Sequence, residues 1–70
     1  MVVKGILRSW DSVNYKATAE LVGSQKARLE DIAVARNIPS AEMVAGRYLA
    51  VQVFGGRPDP KEAVVVAVFT

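Results

Sequence analysis

Residues 39–46, PSAEMVAG, separate three predicted strands from two others and so decide which small β fold the chain adopts. Pro39 suits the first position of a helical turn, where its missing N–H removes no hydrogen bond, and Gly46 suits the left-handed position that ends one. The stretch therefore predicts a short helical turn over residues 40–46. Three apolar side chains within or beside this turn are placed to close one end of a sheet or barrel: Ile38, Met43 and Val44.

Two segments near the start of the chain have the composition of strands. Residues 15–22 are the clearest, because apolar and polar residues alternate from Tyr15 to Leu21, as they do when one face of a strand is buried. Residues 3–10 form the predicted first strand. It ends in a tight turn at residues 11–14, whose Asp, Ser and Asn side chains satisfy local main-chain groups.

Three further strands complete the predicted order. Residues 29–36 are predicted as the third strand, with a weak helix over residues 27–35 as the alternative. After the helical turn, residues 47–54 alternate as a fourth strand. A Gly/Pro loop at residues 55–60 then leads to a fifth strand over residues 63–69.

The order of these elements predicts a mainly β chain. Three strands, a helical turn and two strands are typical of a small five-stranded barrel of the OB type, here a single domain over residues 1–70. An SH3-like barrel is the alternative. Its short helical turn comes before the last strand, where this chain has the Gly/Pro loop.

Composition argues against several classes of function. The chain has 70 residues with no cysteine and no histidine, so disulfides and ordinary zinc or iron sites are not expected. Nine basic and seven acidic residues are spread along the chain and give a net charge of +2, without the concentrated positive charge of dedicated nucleic-acid binders. Glu30 and Asp31 are adjacent, but neighbours on a strand point to opposite faces and do not converge as a catalytic pair. We therefore predict no enzymatic activity, no cofactor and no metal.

The sequence also bears on localisation. No apolar signal-peptide core follows the first residues, because Lys4 and Arg8 interrupt it, and no apolar run approaches the roughly 20 residues of a membrane helix. We therefore predict a cytoplasmic protein that does not associate with membranes.

The fifth predicted strand is apolar at every position from residue 63 to residue 69. Closure of a barrel buries one face of this strand, and rows of β-branched residues left exposed on the other face promote aggregation. We therefore predict a homo-oligomer that packs through this strand and the apolar part of the fourth. Cover from the chain's own helical turn and first strand is the alternative. The predicted interface consists of Val64, Val65, Val66, Val68, Phe69, Val51 and Val53.

A single-stranded nucleic-acid-binding OB module is the alternative function. Such modules combine a cationic groove with aromatic rings on which bases stack. A two-residue turn would pair Trp10 with Tyr15 on the inward face, whereas a bulge would turn Trp10 outward, and burial of Trp10 is the favoured interpretation. The candidate binding residues are Lys4, Arg8, Trp10, Tyr15 and Lys16. A small-ligand site at the barrel mouth, near Met43 and Tyr48, is a third hypothesis.

Two resemblances add to this interpretation. Residues 4–11 (KGILRSWD), 15–24 (YKATAELVGS) and 38–47 (IPSAEMVAGR) resemble a set of short uncharacterised bacterial and phage-associated proteins, which implies no particular activity. Residues 46–51 (GRYLAV) and 59–65 (DPKEAVV) also resemble the OB modules of phage tail and baseplate spike proteins. Such modules commonly form symmetric oligomers that serve as structural collars. The resemblance therefore implies a structural or interaction module of phage or mobile-element origin.

Overall fold

The computed structural model describes residues 1–23, 28–56 and 59–70. Five strands close into a barrel in the order β1-β2-β3-β5-β4, and β4 pairs back with β1. β3 and β5 run parallel, whereas the other neighbouring strands run antiparallel. The prediction of a mainly β, five-stranded barrel is confirmed, and the strand order is that of an OB-type barrel. The strands are β1 (Val2–Asp11), β2 (Lys16–Leu21), β3 (Arg28–Val34), β4 (Tyr48–Val53) and β5 (Ala63–Phe69).

Two single turns of 3-10 helix lie between the strands in the described parts of the chain. The first, Ser40–Glu42, joins β3 to β4 where a helical turn was predicted, but it is shorter than residues 40–46. Gly46 has the expected positive φ, 98°, yet it lies beyond the turn at the entry to β4, where its N–H donates to the carbonyl of Leu7. The second turn, Pro60–Glu62, precedes β5, where only a loop was predicted. Residues 57 and 58 of that loop lie outside the described residues.

The position of a helical turn therefore does not separate the OB-type prediction from the SH3-like alternative, because a turn is present at both places. The parallel pairing of β3 with β5 separates them. In this arrangement β1 is shared between β2 and β4, and the chain crosses the end of the barrel between β3 and β4. Ile38 and Met43, which flank the first turn, are buried against the core at that end, as predicted, whereas Val44 is exposed.

Alternate residues of all five strands form the core. Small residues on β2, Ala17 and Ala19, face inward opposite larger apolar residues, and a Cβ added to Gly5 would meet the Cβ of Ala19 at 3.4 Å. The interior is thus filled by side chains, as expected for a barrel of this size. Its largest fully buried side chains are Leu7, Ile32, Leu49, Val51, Val53 and Val65.

A bulge in β1 sets the orientation of the first hairpin. Leu7 and Ser9 pair with the adjacent residues Ala19 and Thr18, so Arg8 is an extra residue on β1. An extra residue shifts the inward and outward positions of the strand beyond it by one. Trp10 consequently pairs across from a buried residue of β2 and packs against the core. The expectation that a bulge would turn Trp10 outward is therefore wrong.

A second bulge lies in β3, between Leu29 and Ile32. Asp31 has a φ of 58° there, a left-handed angle that Asp adopts more readily than most residues. Glu30 and Asp31 are both exposed as a result. The bulge breaks the regular alternation from which opposite faces were predicted for these two carboxylates.

Candidate interaction surface

The outer sides of β1, β4 and β5 form one continuous surface, which we call the β1–β4–β5 outer face. The register places Lys4 beside Ala50 and Ile6 beside Tyr48, and on the other side of β4 it places Phe69 beside Tyr48. The residues that alternate with these side chains along the same strands point into the core. The face consists of Val2, Lys4, Ile6, Tyr48, Ala50, Gln52, Val64, Val66, Ala67 and Phe69.

A lysine and two aromatic rings form the centre of this face. The ring centroids of Tyr48 and Phe69 are 5.6 Å apart, and the Lys4 Nζ lies 4.1 Å from the centroid of Tyr48 and 5.9 Å from that of Phe69. The ammonium group is thus held over the ring of Tyr48 by a cation–π interaction, while its alkyl chain crosses the apolar surface. Lys4 is the one charged side chain among the residues that make up the face.

A third bulge, in β5, determines which of its apolar residues point into the barrel and which point outward. Val51 pairs with Val65, but the next residue of β4, Ala50, pairs with Ala67, so Val66 is an extra residue. Before the bulge, Ala63 and Val65 point inward; after it, Val68 packs against the core and Phe69 points outward. The inward side of β5 is therefore covered by the barrel itself.

The outward row of β5 is left without cover by the described chain. Val66 and Phe69 are each 43% exposed, and Val64 beside them is half-buried. Val2 at the far end of the face and Val22, whose N–H donates to the carbonyl of Lys4, are also exposed. Contiguous exposed apolar residues of this kind are typical of surfaces that bind another molecule.

The structure divides the predicted interface residues between the two sides of the barrel. Val64, Val66 and Phe69 lie on the outer face. Val51, Val53 and Val65 are 0%, 1% and 0% exposed, so their assignment to an interface is wrong: the alternation of β4 and β5 directs them into the core. Val68 packs partly against the same core.

The predicted nucleic-acid-binding residues do not form one surface. Lys4 lies on the β1–β4–β5 outer face, and Trp10 lies further along β1, roughly 20 Å away at 3.3 Å per residue. Arg8 is paired with Glu20, its Nε 3.0 Å from a carboxylate oxygen. Lys16 is half-buried on β2. The remaining member, Tyr15, lies with Trp10 at the hairpin end of the barrel.

Trp10 and Tyr15 connect the first hairpin to the segment that follows β3. The Nε1–H of Trp10 donates to Ser40 Oγ at 2.9 Å, and the hydroxyl of Tyr15 donates to the carbonyl of Ile38. Their rings meet edge to face with centroids 4.8 Å apart, and the guanidinium of Arg36 lies 5.0 Å from the centroid of Tyr15. The polar atoms of both aromatic residues are thus used within the fold.

The hairpin turn itself differs from the predicted one. Asp11 pairs with Lys16, so four residues rather than two connect the strands, and Tyr15 takes a φ of 54° at the end of the loop. Asp11 accepts hydrogen bonds from the side chain and the main chain of Asn14 and from the main chain of Val13. The hydrogen bond from the Asn14 side chain is the largest cause that lowers the pKa of Asp11.

The outer side of β2 and β3, which OB folds commonly use for oligonucleotides, carries both signs of charge. Lys16 and Glu20 lie on β2, and Arg28 and Glu30 lie on β3. This mixture gives no cationic stripe and no stacking platform among the described residues. A cation also adjoins aromatic carbon in the Lys4, Tyr48 and Phe69 group. This group depends on a cross-strand register that sequence inspection does not supply.

The third hypothesis, a ligand site near Met43 and Tyr48, does not fit the geometry. Met43 is buried in the core, whereas Tyr48 lies on the outer face, so the two side chains do not line one space. No ligand-sized pocket opens among residues 1–23, 28–56 and 59–70. Over the same ranges, no group of three or more acidic side chains is placed to hold a metal ion.

Comparisons with protein-family models, with curated proteins and with solved structures found no match. In the part of the chain that the structure describes, no helix has the length and apolar character needed to cross a membrane.

Proposed function

We propose that this protein is a non-enzymatic structural or interaction module that assembles with further copies of itself through β5 and the adjoining apolar part of β4. The observation that carries the proposal is the uncovered outward row of β5, where Val66 and Phe69 adjoin Tyr48 and Ala50 of β4. Soluble monomers usually interrupt such rows with charge. Here Lys4 is the one charge on the face, and it belongs to β1, so the β5 row itself carries no charge.

The free energy gained by covering the exposed side chains of β5 indicates whether these residues alone could hold two copies together. Burying a whole Val or Phe side chain contributes about 1.5–3 kcal/mol, so covering the 43% of Val66 and Phe69 that is exposed contributes roughly 1 kcal/mol each. Two copies therefore gain about 4 kcal/mol from these residues, at the lower limit of the 4–15 kcal/mol that association costs in lost freedom. A stable assembly therefore requires further contacts between the copies, such as main-chain hydrogen bonds or additional apolar side chains.

Light scattering coupled to size-exclusion chromatography tests this proposal over a wide range of protein concentration. The wild-type mass is expected to exceed that of one chain at high concentration. Val66→Lys should restore the single-chain mass, because it places a hydrated ammonium in the apolar row. Val13→Lys is the matched control, since Val13 is 85% exposed in the hairpin loop away from the face. A wild-type protein that stays a single chain at millimolar concentration would refute the proposal.

Single-stranded nucleic-acid binding is the second candidate function, and one observation favours it. The Lys4 ammonium next to the rings of Tyr48 and Phe69 combines positive charge with partly exposed aromatic surface. Base stacking on aromatic side chains contributes about 1–3 kcal/mol per base. Titration of oligo-dT and oligo-U at several salt concentrations tests it: affinity that falls steeply with salt and is lost in Phe69→Ala, but kept in Trp10→Ala, would support this candidate over self-assembly alone.

Two sequence-based expectations belong to the same proposal. A cytoplasmic location and a phage or mobile-element origin would both suit a small module that builds symmetric assemblies. Tail or capsid genes beside the gene for this chain would support that origin. Neighbouring genes of single-stranded DNA or RNA metabolism would instead favour the second candidate.

A further inference from the structure

One edge of β5 is open along half of the strand. β4 pairs with β5 from Ala63 to Phe69, whereas β3 pairs with it only at Val64 and Val65. Past Val65, the edge of β5 that faces away from β4 has no neighbouring strand in the described parts of the chain. An unpaired strand edge is a template for pairing with another strand, and native proteins usually block it with Lys, Pro or a covering loop.

The bulge at Val66 determines which main-chain groups face this open edge. Val65 directs its carbonyl towards β3, where it accepts a hydrogen bond from the N–H of Ala35 at 3.0 Å. Successive residues of a strand direct their main-chain groups alternately to its two edges, and the extra residue delays that alternation by one position. Val68 is therefore the next residue whose N–H and C=O point away from β4. No loop or turn of the described residues hydrogen-bonds to it.

We propose that two copies of this chain pair antiparallel along the open edges of β5, with a two-fold axis at Val68. This arrangement rests on the proposed self-assembly and specifies its geometry. The two Val68 residues exchange a pair of N–H···O=C hydrogen bonds. On the outer face, Phe69 of each copy then lies opposite Ala67 of the other, so that a large side chain meets a small one twice.

The composition of β5 fits a second copy of the same strand as the occupant of this edge. Residues 63–69 carry no charge and no proline, so antiparallel self-pairing brings no like charges together and removes no donor. A two-fold axis also makes the contact self-complementary and closed, which limits assembly at this edge to two chains.

The position of Lys4 favours edge pairing over packing the two outer faces against each other. Across the joined sheets the strand order is β1-β4-β5-β5-β4-β1, which separates the two β1 strands by five spacings, or about 24 Å at 4.8 Å each. This exceeds the Debye length of about 8 Å at physiological salt, so the two Lys4 charges do not repel. Face-to-face packing would instead bury both ammonium groups within an apolar interface.

Disulfide trapping tests this register, because the chain has no cysteine of its own. Ala67→Cys and Phe69→Cys are prepared as separate single variants and oxidised alone and as a mixture. Opposed residues of a pair that is not hydrogen-bonded have Cα atoms about 4.5 Å apart, within the range of a disulfide. Two Ala67 positions would lie roughly 8 Å apart, beyond the limit of about 7 Å. We expect a cross-linked dimer in the mixture and little in either variant alone.

The other outcomes distinguish the two proposals. A dimeric mass with no cross-link in the mixture, or with self-linking of Ala67→Cys, overturns edge pairing while leaving self-assembly in place. A single-chain mass without cross-links overturns both proposals. Phe54→Cys mixed with Ala67→Cys is the control, since Phe54 is exposed but lies beyond β4 and not on β5.

Hydrogen exchange on the wild-type chain gives an independent measurement that needs no substitution. The Val68 amide should exchange faster in dilute than in concentrated solution, because its donor is satisfied only in the dimer. The Ala67 amide, which faces β4, should show equal protection at both concentrations. Val68 exchange that does not depend on concentration in a protein of dimeric mass would overturn edge pairing.

Discussion

Replacement of Phe69 by alanine is expected to weaken self-association about 30-fold. Phe69 is 43% exposed in the single chain, so its cover by a second copy contributes roughly 1 kcal/mol. A symmetric dimer contains two such side chains, and their loss totals about 2 kcal/mol. Since 1.4 kcal/mol corresponds to a factor of ten, the dissociation constant rises by about 30-fold. The part of Phe69 that is already buried against Tyr48 stabilises the fold, and its loss should lower the melting temperature without unfolding the chain.

Sedimentation equilibrium at several loading concentrations measures the two dissociation constants. Phe54→Ala is the matched control because Phe54 is 67% exposed, more than Phe69, but follows the end of β4. If exposed aromatic area alone drove association, Phe54→Ala would weaken it at least as much. Equal effects of the two substitutions, or an unchanged constant in Phe69→Ala, would refute the assignment of the β1–β4–β5 outer face.

Three further predictions concern the fold that supports this face. Leu49→Ala, which truncates a fully buried side chain of β4, should lower the free energy of unfolding by about 2–5 kcal/mol in urea titrations. Ser40→Ala removes the acceptor of the Trp10 Nε1–H and should cost about 0.5–1.5 kcal/mol, with a shift in the fluorescence of Trp10, the sole tryptophan; an unshifted spectrum would contradict the hydrogen bond. Hydrogen bonds from Asn14 lower the pKa of Asp11, so their contribution to stability is present above the unfolded-state pKa and is lost as pH falls through the lowered folded-state pKa. Asp11→Asn should therefore flatten the acid side of the curve of unfolding free energy against pH.

The strands and the first turn could be predicted because each depends on the residues within its own segment. Alternation defines β2 and β4, and the β5 bounds agree with the apolar run at residues 63–69. Pro39 marks the start of the first 3-10 turn. The second turn, Pro60–Glu62, does not follow from the strand-breaking effect of proline alone. Asp59 caps this turn by accepting a hydrogen bond from the N–H of Lys61.

The candidate surface was less predictable, because it depends on pairing between strands that are distant in sequence. Nothing local to Lys4 indicates that its ammonium lies over Tyr48. The contact requires the register that places Lys4 beside Ala50 and Ile6 beside Tyr48. Likewise, the hydrogen bond from Trp10 to Ser40 depends on the bulge at Arg8 and on the four-residue hairpin loop, neither of which follows from the residues around Trp10.

Because of the bulge at Val66, the apolar run in β5 does not form a regular apolar row on each side of the strand. A regular strand with seven apolar residues would present an apolar row on each side and would need cover for both. The extra residue instead directs Val65 and Val68 into one core, although they are an odd number of positions apart, and leaves Val66 and Ala67 exposed together. The core of the single chain therefore covers the inward side chains of β5. Val66 also turns the main chain of Val68 to the open edge. Only the outer row of β5 and that edge therefore remain for a second copy to cover.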